Sequence, residues 1–552
     1  MGAMDPILPE FDIREWRTQP WPTRYRMACQ DWVVRGYGSP LPVYLFYVLK
    51  AALYVWLWTV FVARTPGLGQ LADIGSWWAA PIAIQKAVLF SLLFEVVGLG
   101  CDCGPLAGRY NPPFGSVLHF LRPGTIKMPW FPSLPLWGGT RRTWLDVALF
   151  AGLLAALFYA LLAPALTPMH IAPVVALLLL CGVGDTTIFL SARAEHFLTA
   201  AVCLLFADDW LAGLKWTWAA IWFWAAVSKL TPHFPLVISV MQSTSPLTHF
   251  LPSVRKAMFK SFPDDMHPSR LAVLMAHAGT VVELAIPIAL LALDGGPGTL
   301  VVLGAMVAFH VFITSSFPLG VPIEWNIVMV YGGLALFGAH ADVSAFSLGS
   351  PVLMALLAVP LFLLPLLGNL FPEHVSFLLS MRYYAGNWAY SVWLFKGDSE
   401  KKLDEHIPKA ARGGRAQLLD MYEQDADMVD AMLCKVPVFR LMHVQGRILH
   451  DLLPKACSNV EDYVFHDGEA VAGLVLGWNF GDGHLHQERL LVAVQEACGF
   501  EEGELRCIFV ESQPIHRPYL AYRICDAKTG QLEAGEVAVK TLLARQPWPE
   551  GA

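Results

Sequence analysis

Charge is what this chain has least of. Only 15% of its 552 residues are Asp, Glu, Lys or Arg, where soluble globular proteins carry about 25%. No Lys or Arg occurs between Arg270 and Arg382. So long a stretch without a cation excludes an ordinary water-soluble enzyme. Nucleotide signatures are missing as well: there is no phosphate-binding Gly-rich loop and no dinucleotide fingerprint. The histidine clusters of a di-iron desaturase are absent, and His484 and His486 stand in the polar C-terminal part. No paired cysteine spacing marks a disulfide framework. Cys434, Cys457, Cys498, Cys507 and Cys525 in that part instead point to reduced, cytosolic thiols. Cys101-Asp-Cys103 reads more simply as a Gly-flanked turn than as a thiol pair, and no metal site or nucleic-acid partner is expected. The first 40 residues hold no early apolar core, so no cleavable signal peptide is legible.

What the chain does have is apolar length. It is 55% hydrophobic, with a mean hydropathy of +0.49 and 20 tryptophans. Runs long enough to cross a bilayer lie at about 41–63, 79–100, 144–167, 169–191, 212–231, 271–293, 299–317, 322–338 and 350–370, with a shorter one at 196–208. Lys and Arg concentrate before 40, in 101–143, and in 232–270. With the short run included, the positive-inside rule gives about ten transmembrane helices and both termini in the cytosol. The fold class expected is therefore a polytopic α-helical membrane protein with a C-terminal soluble α+β domain, in a bacterial inner membrane.

Four regions follow from this: an N-terminal segment (1–40), the transmembrane domain (41–371), an interfacial amphipathic segment (372–395) and a cytosolic α+β domain (396–552). In the last, 413–433, 438–453 and 486–497 have helical periodicity, while 469–476, 506–512, 519–524 and 535–542 read as strands. The basic, proline-rich loop 101–143, with Arg109 and Arg122, suits the headgroup layer, either as a membrane-hugging connector or as a lid over an anionic or lipid-like substrate.

The segment around which the rest is organised is WTWAAIWFWAAVSKLTPHFP, from Trp216 to Pro235. Helical steps from Trp218 reach Trp222, Ala225 and Lys229, which puts a lysine on an aromatic stripe. A lysine in hydrocarbon costs about 2.5 kcal/mol or more unless it snorkels, pairs or meets water. Span limits place Lys50, Glu95, Asp185, Lys229, His277 and His310 in the cytosolic half of six helices, Lys229 only about 3 Å from its helix end. Glu283 falls near mid-span, apart from them. Such residues either pair to hold helices in register or share a cavity.

The run Ala225-Ala226-Val227-Ser228-Lys229-Leu230 resembles the lysine helix of vitamin K-dependent gamma-carboxylase-like membrane domains, with Ala226 where that family has glycine. The stretches from His277 to Leu291 and from His310 to Trp325 are similar to its following helices. With its RPGT and RYYAGNW motifs, the chain as a whole resembles a family of uncharacterised bacterial transmembrane proteins of unknown function. The carboxylase-like resemblance implies that Lys229 is a base toward a quinol or similar acidic lipid. The expected catalytic set is then Lys229, His233, His277 and Glu283. Trp218, Trp222, Glu95, Asp185, His310, Arg109 and Arg122 are expected to bind substrate. The cofactor, if any, is a quinone, a quinol or a bound lipid; glutamate carboxylation is not predicted. The alternative is a non-enzymatic scaffold or lipid-handling subunit, whose C-terminal domain docks a soluble cytosolic protein. A transporter ranks third, because no internal repeat is detectable.

Overall fold

A computed structural model describes residues 5–100, 115–316 and 323–551. Two short helices, α1 (Ile13–Thr18) and α2 (Trp21–Arg35), open the chain. The apolar part comprises α3 (Leu41–Val62), α4 (Pro81–Val96), α5 (Trp144–Leu162), α6 (Pro168–Gly184), α7 (Phe197–Cys203), α8 (Trp210–Ser228), α9 (Phe234–Thr244), α10 (Arg270–Ala292), α11 (Gly296–Ser316), α12 (Ile323–Gly333) and α13 (Pro351–Ala358). Proline starts several of them, at Pro42, Pro81, Pro168 and Pro351. There its missing N–H is one the helix leaves unbonded anyway. Thr143 and Asp146 close a capping box on α5, and Ser269 accepts from Ala272 at the start of α10.

Ten spans is a number the structure corrects. Among the described residues, five helices are long and apolar enough to cross a membrane: Pro42–Val62, Trp144–Leu162, Arg270–Ala292, Gly296–Ser316 and Pro351–Leu370. A sixth exists if Leu71–Trp77 and Pro81–Val96, bent by 116°, count as one broken span. The expected spans at 169–191, 196–208 and 322–338 are shorter helices, and α7 has only seven residues. The physical reason is visible in burial. The five long helices bury only 22–33% of their most apolar windows, as lipid-facing helices do. Helix α8, expected as a span at 212–231, is buried along most of its length instead. It is apolar because protein surrounds it.

Helix α8 is the axis of the apolar part, packed by α7, α10, α12 and α13. Two of its tryptophans find main-chain acceptors: Trp216 Nε1 donates to Ala345 O at 2.9 Å and Trp224 Nε1 to Leu361 O at 2.7 Å. Gly332 of α12 lies against the Trp218 ring, where an added Cβ would sit 2.3 Å from ring atoms.

The polar C-terminal part folds around an antiparallel five-stranded sheet. Its strands are β3 (Tyr390–Lys396), β4 (Tyr463–Asp467), β5 (Leu505–Val510), β6 (Tyr519–Asp526) and β7 (Gly530–Ala538), in the order β4-β3-β5-β6-β7; β1 (Phe259–Ser261) and β2 (Asp265–Pro268) form a separate hairpin. Strand β3 pairs on both edges, Val392 facing Asp467 on one side and Ile508 on the other. It starts within 372–395, and the stretch before it buries Phe377, Tyr383 and Trp388. Residues 469–476, expected as a strand, form helix α14 (Gly468–Leu476), which Asp467 caps. Helix α15 (Glu488–Cys498) falls where its periodicity places it. The N-terminal helices lie on this part: Lys435 meets Asp31 at 2.5 Å and Arg17 meets Asp427 at 2.6 Å.

Candidate functional site

Helix α8 ends at Ser228, four residues before Pro232, which disfavours helix at the residue preceding it. Lys229 is its C-cap, and its ammonium meets the carboxylate of Glu283 on α10, with Nζ 2.6 Å from Oε1 and the other oxygen also in contact. Both side chains are nearly sealed from the surface, 8% and 5% exposed. The Phe234 ring lies 5.7 Å from Nζ. Glu283 is 13 residues into α10, about 20 Å along its axis. Lys229 is therefore not a snorkelling residue at a helix end, as its position in the sequence allows. The turn after α8 is itself exposed at Leu230 and Pro232, but the Lys229 side chain turns inward to Glu283, a residue of a different expected depth.

The pair lines a cavity of about 160 Å³. On α10 the lining residues are Met275, Gly279 and Glu283, one four-residue stripe. Helix α8 supplies Ile221, Trp222 and Ala225; α11 supplies Phe309, His310 and Ile313. The C-terminal part closes the other side with Tyr383, Tyr384, Trp388, Phe439 and Phe480. Trp222 Nε1 donates to His310 Nε2 at 2.9 Å, so the His310 proton sits on Nδ1, 2.7 Å from Asn326 Oδ1. That neutral imidazole is fixed in place between two hydrogen bonds. Arg193 also lines the cavity. Glu195 holds its Nε at 2.8 Å, and its guanidinium lies 5.1 Å from Trp325 and 5.5 Å from Tyr383.

Of the residues singled out in the sequence, the structure gathers Lys229, Glu283, Trp222 and His310. His233 is adjacent but lines no wall; it is buried, with Nε2 2.9 Å from Gln513 Oε1. The others are elsewhere. His277 is exposed on the outer side of α10. Trp218 packs on His196 with ring centres 4.5 Å apart. Asp185 caps the Thr186–Ser191 helix and pairs with Arg142 at 2.5 Å. Arg122 donates to Lys409 O at 2.8 Å. Glu95 is buried; among the described residues neither of its carboxylate oxygens has a hydrogen-bond partner. Arg109 and the Cys101–Cys103 pair lie outside the described residues. Asn326, Arg193 and the C-terminal aromatics escaped sequence reasoning. Arg193 and Asn326 carried a signal, as isolated polar residues beside apolar runs.

Other polar networks do not make a comparable site. Ser391 Oγ is 2.5 Å from His486 Nδ1, near Asp467, but serine and histidine are fully buried and line neither the cavity beside Lys229 nor the larger one near α1 and α2. Burial pushes the His486 imidazole down to about 3. At His484, burial also acts downward, but the Glu511 carboxylate, 3.2 Å from Nε2, and Asp482 outweigh it and raise the pKa. A larger cavity of about 420 Å³ lies between α1–α2 and the C-terminal part, with none of the expected catalytic or substrate-binding residues on its walls. Among the described residues, no cluster of three or more His, Cys, Asp and Glu is arranged to hold a metal.

Residues 1–552 match the family described as a transmembrane protein of unknown function (DUF3556). The chain belongs to this family. No curated protein and no solved structure matches it. The carboxylase-like likeness within 200–330 thus rests on its motif residues alone. Membership in a transmembrane family agrees with the five long apolar helices, and it assigns no activity.

Proposed function

We propose that this membrane protein binds a quinone-like or other lipid molecule bearing an acidic hydroxyl, and that the Lys229–Glu283 pair takes its proton. The observation carrying this reading is the pair itself, buried at the wall of a largely aromatic cavity. An ammonium has no lone pair, so in the ion-paired state Lys229 is not the base. The division of labour that fits is the reverse of the carboxylase-like one. The substrate O–H bond breaks, the proton passes to Glu283, and the electron pair remains on an oxygen held by the Lys229 ammonium. Such a cation beside a developing anion lowers its pKa by about 1–3 units. His310, neutral and oriented by Trp222 and Asn326, offers a second polar contact on the same wall.

An anaerobic pH titration of decylhydroquinone bound to the full chain tests this, with absorbance reporting its ionisation. A phenolic hydroxyl ionises near 10 in water; the bound one is expected about 1–3 units lower. Lys229→Met should return it toward the value in water, whereas Glu283→Gln, which leaves the cation without its counter-charge, should lower it further. Unchanged ionisation in both variants would remove the proposal.

A further inference from the structure

The cavity walls are unequally sealed. On α8 and α9 the lining residues Trp222, Ala225, Phe234 and Ile238 are all buried. On α10 and α11, Met275, Gly279, Phe309 and Ile313 are partly exposed. Gly279 sits at the border of the buried stripe of α10, between exposed Ala278 and Val282 on one flank and buried Thr280 and Glu283 on the other. Both helices are long apolar spans with bare outer faces, including Leu274 and Val281 on α10 and Leu300 and Val311 on α11. The unsealed side of the cavity thus faces the lipid. A Cβ built at Gly279 meets nothing within 4 Å, so close packing does not explain the glycine. It leaves a gap.

We infer that Gly279 marks a lateral doorway between α10 and α11, through which a membrane lipid with an uncharged ring headgroup reaches the Lys229–Glu283 pair. This rests on the reading of the pair given above and names the class of molecule it serves. Depth selects that class. Helix α10 has 23 residues, about 34 Å, and Glu283 lies about 20 Å along it. A charged headgroup at mid-membrane depth is costly to hold, whereas a neutral quinol or quinone escapes that cost. Size agrees: a cavity of about 150 Å³ with apolar walls takes one benzene, and this one is about 160 Å³. One ring fits, with its tail left between the two helices. The aromatic walls offer stacking faces to such a ring.

Binding of decylubiquinone to the purified full chain, read by native mass spectrometry, tests the doorway through a size series. Gly279→Ala is too small to fill the gap and should bind as the parent does. Gly279→Leu should bind more weakly, and Gly279→Trp at least tenfold more weakly. Gly304→Trp, on the exposed outer face of α11 where a Cβ also meets nothing, should leave binding unchanged. A tenfold excess of phosphatidylglycerol should not displace the quinone. Parent-like binding by both Gly279→Leu and Gly279→Trp overturns the doorway, and so does equal weakening by Gly304→Trp. Displacement by phosphatidylglycerol, or no binding by the parent, overturns the ligand class. Lys229→Met separates the two readings. If it binds quinone but leaves hydroquinone ionising as in water while the Gly279 series blocks binding, both stand. If the Gly279 series is silent and Lys229→Met still returns ionisation to the value in water, only the doorway falls.

Discussion

Helix α8 carries a buried lysine near each end, and the two do different things. Lys215, in its second turn, donates to His340 O at 3.0 Å and to Val343 O, main-chain carbonyls just beyond the π-helical turn Leu334–Ala339. Lys229, just past its last turn, meets a carboxylate and a cavity. Each lies near a phenylalanine ring, 5.3 Å away for Lys215 and 5.7 Å for Lys229. Burial and an aromatic neighbour therefore do not mark a functional lysine. What distinguishes Lys229 is a partner that can take or give a proton, with room beside it. Lys215 holds fixed acceptors and lines neither large cavity.

The contrast can be broken experimentally. Lys229→Met alone leaves a buried carboxylate unpaired and should cost about 3–5 kcal/mol of stability in detergent. Adding Glu283→Gln should recover all but about 1 kcal/mol, because no charge is then stranded, while hydroquinone ionisation stays lost. Lys215→Met should cost about 1.5–3 kcal/mol through its charged hydrogen bonds. No side-chain change at Glu283 should rescue it, and ionisation at the other end of the helix should be unaffected. If Glu283→Gln rescues neither variant, or if Lys215→Met also abolishes ionisation, the two ends do not differ as described.

The sequence made the long spans legible, because hydropathy over about 20 residues is what lipid demands. It overcounted them because a helix buried in protein is equally apolar. Helices α7 and α8 illustrate this, sealed by neighbours rather than by lipid. Lys229, Glu283, Trp222 and His310 stood out as polar or aromatic residues in apolar runs. Their convergence did not, since depth counted along separate helices placed Glu283 apart from the rest. The aromatic cover from Tyr383, Trp388 and Phe439 was out of reach for another reason: it comes from chain beyond the last span, expected to lie at the interface or in the cytosol. His277 misled because its helix was placed correctly but its face was not.

Smaller effects sharpen the account. Trp222→Phe removes the donor to His310 and should cost about 0.5–1.5 kcal/mol in thermal unfolding; an effect above that range would mean that Trp222 holds more of the fold than this hydrogen bond. The smallest concerns pH. His484 has a folded pKa raised above its ordinary 6.5 by Glu511 and Asp482, against the opposing effect of burial. Its contribution is complete below 6.5 and is lost as pH rises through the folded value. Buried His443, held down to about 3, and His450, to about 4, act only below 6.5, where the unfolded chain takes up protons that the folded chain refuses. The slope of melting temperature just above pH 6.5 should therefore be downward in the parent and flatter in His484→Gln. An unchanged slope would take His484 out of the pH response.

The central claim is that the Lys229–Glu283 end of α8 is where this protein meets its ligand, and the lipids that copurify with it test this most directly. Organic extracts of the purified parent, of Lys215→Met and of Lys229→Met/Glu283→Gln can be compared by mass spectrometry at equal amounts of folded protein. The account predicts about one ring-headed lipid per chain in the parent and in Lys215→Met, and its loss from the double variant. The same lipids in all three, or no ring-headed lipid in the parent, would contradict it.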